Sequence, residues 1–593
     1  MSAAIIMALA GTATARGVDP PGLEHAAANP TTLILAPVQA GLGGVFSDDP
    51  AAPAITVEIP PGALTADAVL RVRAVKRPPG PGPDQAVTSP AFDVRLQGRG
   101  DGKVGLAAPM KVVLTAERAP DPGEVPEVAT RQGHRWNRLG ASFYRPSTVR
   151  AVGLTRDTGA TYRAVYRSLK VATGPGVERG RVVFMDETFG NEDFFGAVLG
   201  LHELLNGVPP VAAVGLGVQV DITQVPQPIV DVLTGDDDGA TLAVLENPEV
   251  TRALIKADAV IGVKGFYSDP ASDVMTSAGI TCALCHVTVT PSDFGPPLGV
   301  LPIGEPRFDG VPNNAMDAGA ILALTPTIQS AFPALVPVLN GWGPGRFDVR
   351  ALDVPNVDRN PLEDGIDNPT TYPPLWNFLD LSAQAYRIGW DGLFLDNGVT
   401  NNALGSISEA VYDLIFHGNG AFGYPPFVID GGDGGTLPPE LSIEPPPELV
   451  AGLVQSEIER PGNDIVPPEK LLDVQAFMRS IARPPPGPFD ESAAEMGFEL
   501  FHGKANCVAC HQTADLTGPG LFTDITAMPP QGGLAAGIKV PGLRGIATTA
   551  PYFHDGSAAT LAEVVARFVQ RGVEVPPLAP DEQAALVEYL KSL

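Results

Sequence analysis

All four cysteines of this 593-residue chain fall in two copies of one pattern, Cys282-Ala-Leu-Cys285-His286 and Cys507-Val-Ala-Cys510-His511. Cys-x-x-Cys-His is the attachment site of a c-type haem. The two thiols add to the two vinyl groups of one porphyrin, and the adjacent imidazole is delivered to the iron as its proximal ligand. The competing readings are a thiol redox pair, which does not need the following histidine, and half of a zinc site, which would need two more ligands beside each pair. The expected cofactors are two covalently bound haem c groups, with His286 and His511 as iron ligands. No thiol is then left for a disulfide.

Each motif needs a small helical framework around it. Leu471 to Ile481 and Ala585 to Leu593 are similar helical stretches with an aromatic just before Arg or Lys, and each reads as the closing helix of a cytochrome c domain. Between them Arg483-Pro-Pro-Pro-Gly-Pro488 cannot continue a helix and marks a boundary. From His511 to the C-terminus there are 82 residues, whereas His286 to Ile481 spans 195. The surplus predicts long loops, among them the Pro/Gly-rich stretch from Tyr424 to Pro447, and loops of that size commonly shape a site.

Residues 31–173 have a different period. Ile55 to Ile59, Val69 to Val75, Ala91 to Leu96 and Met110 to Leu114 are short β-rich runs between Pro/Gly turns, which predicts an antiparallel sandwich. Its His134 and Trp136 read as covering or filling a core. Gly174 to Gly180 reads as a linker, followed by a helical connecting region at 181–270, a first cytochrome c domain at 271–483 and a second at 489–593. The expected fold is therefore multidomain, an all-β sandwich followed by two mainly α-helical cytochrome c domains with long loops.

Composition narrows the partners. Lys and Arg number 39 against 67 Asp and Glu, a net charge of −28, and a field of that sign repels nucleic acid and anionic lipid headgroups. Asp236-Asp-Asp238-Gly239 suggests calcium only in name, since it lacks the spaced ligand loop, and it reads as a solvated turn. Residues 1–15 offer an apolar stretch, Ala3 to Ala10, and a small-residue run, Ala13-Thr14-Ala15, like an export signal without its basic start. No other uncharged apolar run is long enough to span a membrane. Haem attachment to cysteine takes place outside the cytoplasmic membrane, so a periplasmic or secreted location is expected.

Gly503 to His511 and Val540 to Leu561, the latter containing Pro551-Tyr-Phe-His-Asp-Gly556, resemble the bacterial dihaem cytochrome c peroxidases and MauG-type oxidases, relatives of the dihaem rubber oxygenases. In the first haem segment the likeness thins to Cys282–His286, Asn368-Pro369 through Trp376-Asn377, and Trp390-Asp-Gly392. Val57 to Thr65 resembles the opening of ZU5-like sandwich domains. The resemblance implies a redox enzyme in which one haem activates peroxide or dioxygen and the other relays electrons. It also implies a small redox donor protein or small-molecule substrate as partner. Trp390 matches the family's inter-haem relay, and His286 matches the proximal ligand of the peroxidatic haem. Two departures stand out. Phe568 occupies the place of the methionine that ligates the second iron, and no histidine lies between His286 and His417 to act on the distal side of the first. Asp364, Asp367 or Glu409 remain as acid/base candidates, and His554 or Met528 as sixth ligand of the second iron. His502 and His417 read as non-ligands. The alternative readings are a dihaem electron carrier and a secreted binding protein that uses its sandwich.

Overall fold

The computed structural model describes residues 32–347, 369–376, 386–388, 394–396, 468–512, 516–518, 521–522, 538–571 and 576–593, apart from short stretches at 83–84, 99–102, 122–123, 140, 169–173, 193–194, 197–198, 236, 295–298 and 332. The chain divides into two compact units, residues 1–168 and 169–593.

Among the described residues the first unit consists of twelve antiparallel strands. They are β1 (Thr32–Val38), β2 (Gly44–Ser47), β3 (Ile55–Ile59), β4 (Ala68–Ala74), β5 (Gln85–Val87), β6 (Phe92–Gly98), β7 (Met110–Thr115), β8 (Glu124–Gln132), β9 (Arg135–Arg138), β10 (Ala141–Arg145), β11 (Arg150–Thr155) and β12 (Gly159–Ser168). One sheet runs β1-β4-β6-β12-β8-β9, with β5 also on β12, and the other runs β10-β11-β7-β3-β2. Strand alternation decides what faces inward. In β4 it buries Leu70 and Val72 and turns Arg71 and Arg73 outward. Leu70, Val72, Phe92 and Val94 share one core with Ile55, Val57, Val112 and Leu114 of the opposite sheet, so the β-rich runs do form a sandwich. Trp136 belongs to a smaller cluster on the other side of the first sheet, where its indole N–H donates to the Pro79 carbonyl at 2.9 Å. His134 sits exposed in the β8–β9 turn.

The second unit is mainly helical. The helices that matter for the cysteine motifs are α1 (Pro175–Asp186), α2 (Asp238–Leu245), α3 (Pro248–Lys256), α4 (Ala283–His286), α5 (Pro468–Met478), α6 (Glu491–His502), α7 (Leu561–Arg571) and α8 (Pro580–Lys591). The stretch Gly174 to Gly180, expected to be a linker, instead opens α1. Pro175 stands at the first helical position, where its fixed φ favours a helix start. Gly180 serves contact rather than flexibility, because a Cβ there would lie 1.8 Å from the Asp473 carbonyl oxygen of α5. One turn later Phe184 meets Phe477, ring centroids 5.1 Å apart. The C-terminal pair α6/α8 repeats this residue for residue. A Cβ on Gly497 would lie 2.0 Å from the Ala585 carbonyl oxygen, and Phe501, one turn on, meets Tyr589 at 5.3 Å. Asp237 caps α2, its carboxylate accepting from the amides of Gly239 and Ala240, so that acidic run starts a helix.

Candidate haem-binding sites

The first motif sits on the α1/α5 pair. Ala283, Val287 and Cys282 pack into the cluster that holds Phe184, Val474 and Phe477. The short helix α4 follows directly on Cys282, and its last turn is held from behind by Asn313, which is 1% exposed. The Asn313 amide donates to the Cys285 carbonyl at 2.8 Å, while its side chain donates to the carbonyls of Gly217 (2.9 Å) and Leu284 (3.3 Å). Gln219 completes the clamp by donating to the Asn313 side chain at 3.3 Å and accepting from the Val289 amide at 3.2 Å. Sequence reasoning missed both residues. An Asn and a Gln more than 90 positions apart leave no mark in periodicity or spacing.

Burial sets the chemistry of the motif atoms. It pushes the Cys282 thiol up to about 11 and, with Cys282 as neighbour, the Cys285 thiol up to about 12. A catalytic thiol pair needs the opposite shift, toward thiolate, so this environment speaks against a dithiol redox site. The same burial lowers His286 to about 4, which leaves its imidazole neutral at physiological pH, the form that binds a metal. Cys282, Cys285 and His286 are nonetheless each partly accessible. His286 Nδ1 is enclosed with no hydrogen-bond partner among the described residues.

The second motif is a single tight turn, Cys507–Ala509, followed by Cys510 and His511, whose amide donates to the Cys507 carbonyl at 3.0 Å. Burial pushes Cys507 up to about 12 and lowers His511 to about 4. His511 Nδ1 lies against the Leu516 carbonyl. A carbonyl can only accept, so Nδ1 carries the proton and Nε2 keeps the lone pair that a metal needs. The four cysteines form no disulfide. Donor set, neutral imidazoles and the orphaned nitrogen of His286 together fit two covalent haems, one per motif.

An eight-residue segment, residues 369–376, joins the first motif to the chain that carries Arg544 and His554. The ring of Tyr372, 7% exposed, meets His286 edge-on with centroids 6.4 Å apart, and burial followed by the nearby Cys285 and Asp317 raises its phenol. The next residue back, Thr371, donates its amide to the His554 carbonyl at 2.7 Å and its hydroxyl to the Phe553 carbonyl at 3.3 Å. At the far end Trp376, 4% exposed, donates its indole N–H to the Arg544 carbonyl at 2.9 Å. Asn314 adds a further tie, to the Ala550 carbonyl at 2.7 Å. The sequence carried a signal for this segment in Pro369 through Trp376, but nothing in it said which residue would face which site.

His554 is buried at 2% exposure, and Asp555 beside it caps its own turn by accepting from the Ser557 amide at 3.0 Å. Phe568 of α7 packs against Phe553, ring centroids 6.1 Å apart, an apolar contact where the resemblance expected a sulfur ligand. His502 ends α6 with Nδ1 2.9 Å from the Phe498 carbonyl and its ring among Phe498, Phe501 and Tyr589. Trp390, Glu409, Asp364, Asp367, His417 and Met528 lie outside the described residues. No helix among the described residues is long and apolar enough to cross a membrane.

Residues 494–593 match the cytochrome c family. This stretch is a cytochrome c domain.

The chain is also similar to several curated proteins over part of its length. The methylamine utilization protein MauG of Methylorubrum extorquens is 33% identical over 129 residues, 18% of this chain and 36% of that protein. MauG of Methylophilus methylotrophus is 27% identical over 185 residues, 24% of this chain and 54% of its own length. Cytochrome c551 peroxidase of Nitrosomonas europaea is 35% identical over 113 residues, 16% and 33% respectively. The matches thus span between about a third and about half of these relatives. Among solved structures, a MauG-like protein associated with microbial copper homeostasis aligns at 20% identity over 38% of this chain and 73% of its own. The TM-score of that alignment is 0.23.

Proposed function

We propose that this c-type cytochrome is a dihaem redox enzyme of the peroxidase/oxidase class, working in the periplasm or outside the cell on a small-molecule substrate or with a small redox donor protein. When bound, the haem groups supply redox chemistry toward peroxide or dioxygen and storage of electrons. The protein's part is positioning. Cys282 with Cys285, and Cys507 with Cys510, hold the two groups, and His286 and His511 present neutral ring nitrogens to them. The observation that carries the reading is the Pro369–Trp376 segment, which touches His286 through Tyr372 and the His554 turn through Thr371 within one compact unit. With His554 as a ligand of the second iron, this segment would connect the two electron centres, which suits a reaction that needs more than one electron. In this proposal His554 is the sixth ligand of the second iron, Trp390 relays electrons and Glu409 serves as acid/base.

Optical and EPR spectra of the oxidised protein before and after hydrogen peroxide test the proposal. A high-spin signal that peroxide abolishes is expected, and two low-spin signals inert to peroxide would make the chain an electron carrier. His554→Ala is expected to turn one low-spin signal high-spin, and an unchanged spectrum would pass the ligand role to Met528 or another group.

A further inference from the structure

The net charge of the whole chain conceals an internal opposition. Residues 32–168 carry 17 Lys and Arg against 12 Asp and Glu, a net charge of +5, while residues 169–593 carry 21 against 53, a net charge of −32. The sandwich is basic within a strongly acidic protein, and such asymmetry points to a partner that only one part addresses.

The register shows where the positive charge gathers. Directly paired residues share a face of a sheet. Arg71 of β4 pairs with Arg95 of β6, and Arg73 pairs with Asp93, which in turn pairs with Thr161 of β12. Two positions along β12, Arg163 pairs with Ala129 of β8, and Ala129 pairs with Arg138 of β9. By the same alternation Arg167 and Arg131 lie on this face too. The outer face of the first sheet therefore carries seven arginines, of which Arg163 is 6% exposed, and its carboxylates among the described residues are two, Asp93 and Glu127. Asp93 is engaged by Arg95 at 3.0 Å. Glu127, 1% exposed, is engaged between Arg167 (3.2 Å) and Arg138 (3.4 Å). Arg163 lies over the Trp136 ring and reaches carbonyls of the loop that covers it. Arg131 donates to the Gly133 carbonyl at 2.8 Å. Arg71 and Arg73 remain, with their Nε atoms enclosed and without an acceptor among the described residues. Burial, then Arg73 and Arg95, lower the Arg71 guanidinium from its ordinary value, and Asp93 offsets part of that. Like charges placed directly opposite on neighbouring strands destabilise a sheet, so a stability argument does not account for the Arg71–Arg95 pairing.

We propose that the outer face of the seven-stranded sheet, centred on Arg71, Arg73 and Arg95, is a docking surface for an acidic polysaccharide. Charge complementarity selects an anion, and the guanidinium fork matches carboxylate and sulfate groups. The spread of the array selects the polymer. From β4 to β9 the cations extend over about 19 Å at strand spacing, which suits a linear chain with repeated charges. Other polyanions need features this face lacks. Single-stranded nucleic acid stacks on exposed aromatics, and the aromatic here, Trp136, is 5% exposed. A bilayer or a protein partner takes a contiguous apolar anchor, whereas the exposed large apolar residues of this sheet among the described ones, Leu33 and Val87, lie on separate strands. The site lies in the sandwich and does not depend on the haem proposal.

The test uses the full haem-loaded chain and immobilised polygalacturonate and heparin, with dextran as neutral control. The wild type is expected to bind both acidic polymers and not dextran, with affinity that falls as salt rises. Arg71→Gln/Arg73→Gln should weaken binding on the order of tenfold and flatten the salt slope by about one per arginine removed. The variant's haem spectrum and circular dichroism should be unchanged, which separates a lost site from a lost fold. Lys103→Gln, an exposed lysine between β6 and β7, should bind like the wild type. Equal binding by the arginine variant, an equal loss in Lys103→Gln, or no wild-type binding to either polymer would overturn the proposal. Preference for anionic vesicles or for single-stranded DNA over both polymers would overturn the choice of partner.

Discussion

The helix pairs α1/α5 and α6/α8 are built alike and connected differently. In both, a glycine on the first helix lets the second approach backbone to backbone, and an aromatic one turn later meets an aromatic of the partner, Phe184 with Phe477 and Phe501 with Tyr589. In the C-terminal pair Cys507 follows Phe501 within two turns' worth of chain. In the first pair roughly a hundred residues, including α2 and α3, separate Phe184 from Cys282. What the two share is the contact and its spacing along each helix, not the distance to the motif. A close crossing tolerates any length of chain that leaves from the helix ends, because loop closure costs grow only slowly with length.

The largest expected effects test whether the two sites are separate. Cys282→Ala/Cys285→Ala should lower the mass of the denatured protein by one haem, and so should Cys507→Ala/Cys510→Ala. Loss of both haems from either change would make the sites one cooperative unit.

The crossings come next. Gly180→Val and Gly497→Val each place side-chain atoms where a backbone oxygen of the partner helix stands, and should cost about 3 kcal/mol or more by forcing the helices apart. Each should reduce haem content at its own motif in thermal and spectroscopic measurements. Equal tolerance at Gly180 would show that the first crossing matters less than its geometry suggests.

A smaller change concerns the Pro369–Trp376 segment. Trp376→Phe removes the indole N–H bond to Arg544 and part of the buried surface, for a loss of about 1–2 kcal/mol. Because the bond runs from Pro369–Trp376 to the chain before the His554 turn, the melt should become less cooperative between the two haem signals. A single, merely shifted transition would argue that Trp376 is ordinary core.

The smallest effect is expected at Arg179, whose exposed side chain pairs with Asp473 at 2.7 Å on α1/α5, while the equivalent positions on α6/α8 are the uncharged Met496 and Ala585. Exposed ion pairs contribute little. Arg179→Ala should leave both the melting midpoint and the haem content nearly unchanged, and a marked loss of the first haem would show that the pair holds the crossing.

The sequence by itself determined whatever depends on neighbours along the chain. Cys-x-x-Cys-His places two thiols and an imidazole within about one turn, and strand alternation in Ala68 to Ala74 separates core from surface before any fold is known. The closing helices around Phe477 and Tyr589 were legible for the same reason. Tertiary structure decided what depends on residues far apart in sequence. Gly174 to Gly180 looked like a linker because glycine in a chain is flexible by default, and only the arrival of Asp473 shows that Gly180 is needed for a contact. Asn313 and Gln219 hold the first motif by hydrogen bonds that no spacing rule anticipates. The arginines of the sandwich are scattered from 71 to 167 and vanish into a net charge of −28. Strand register gathers them on one face, since pairing is set by the sheet and not by sequence order.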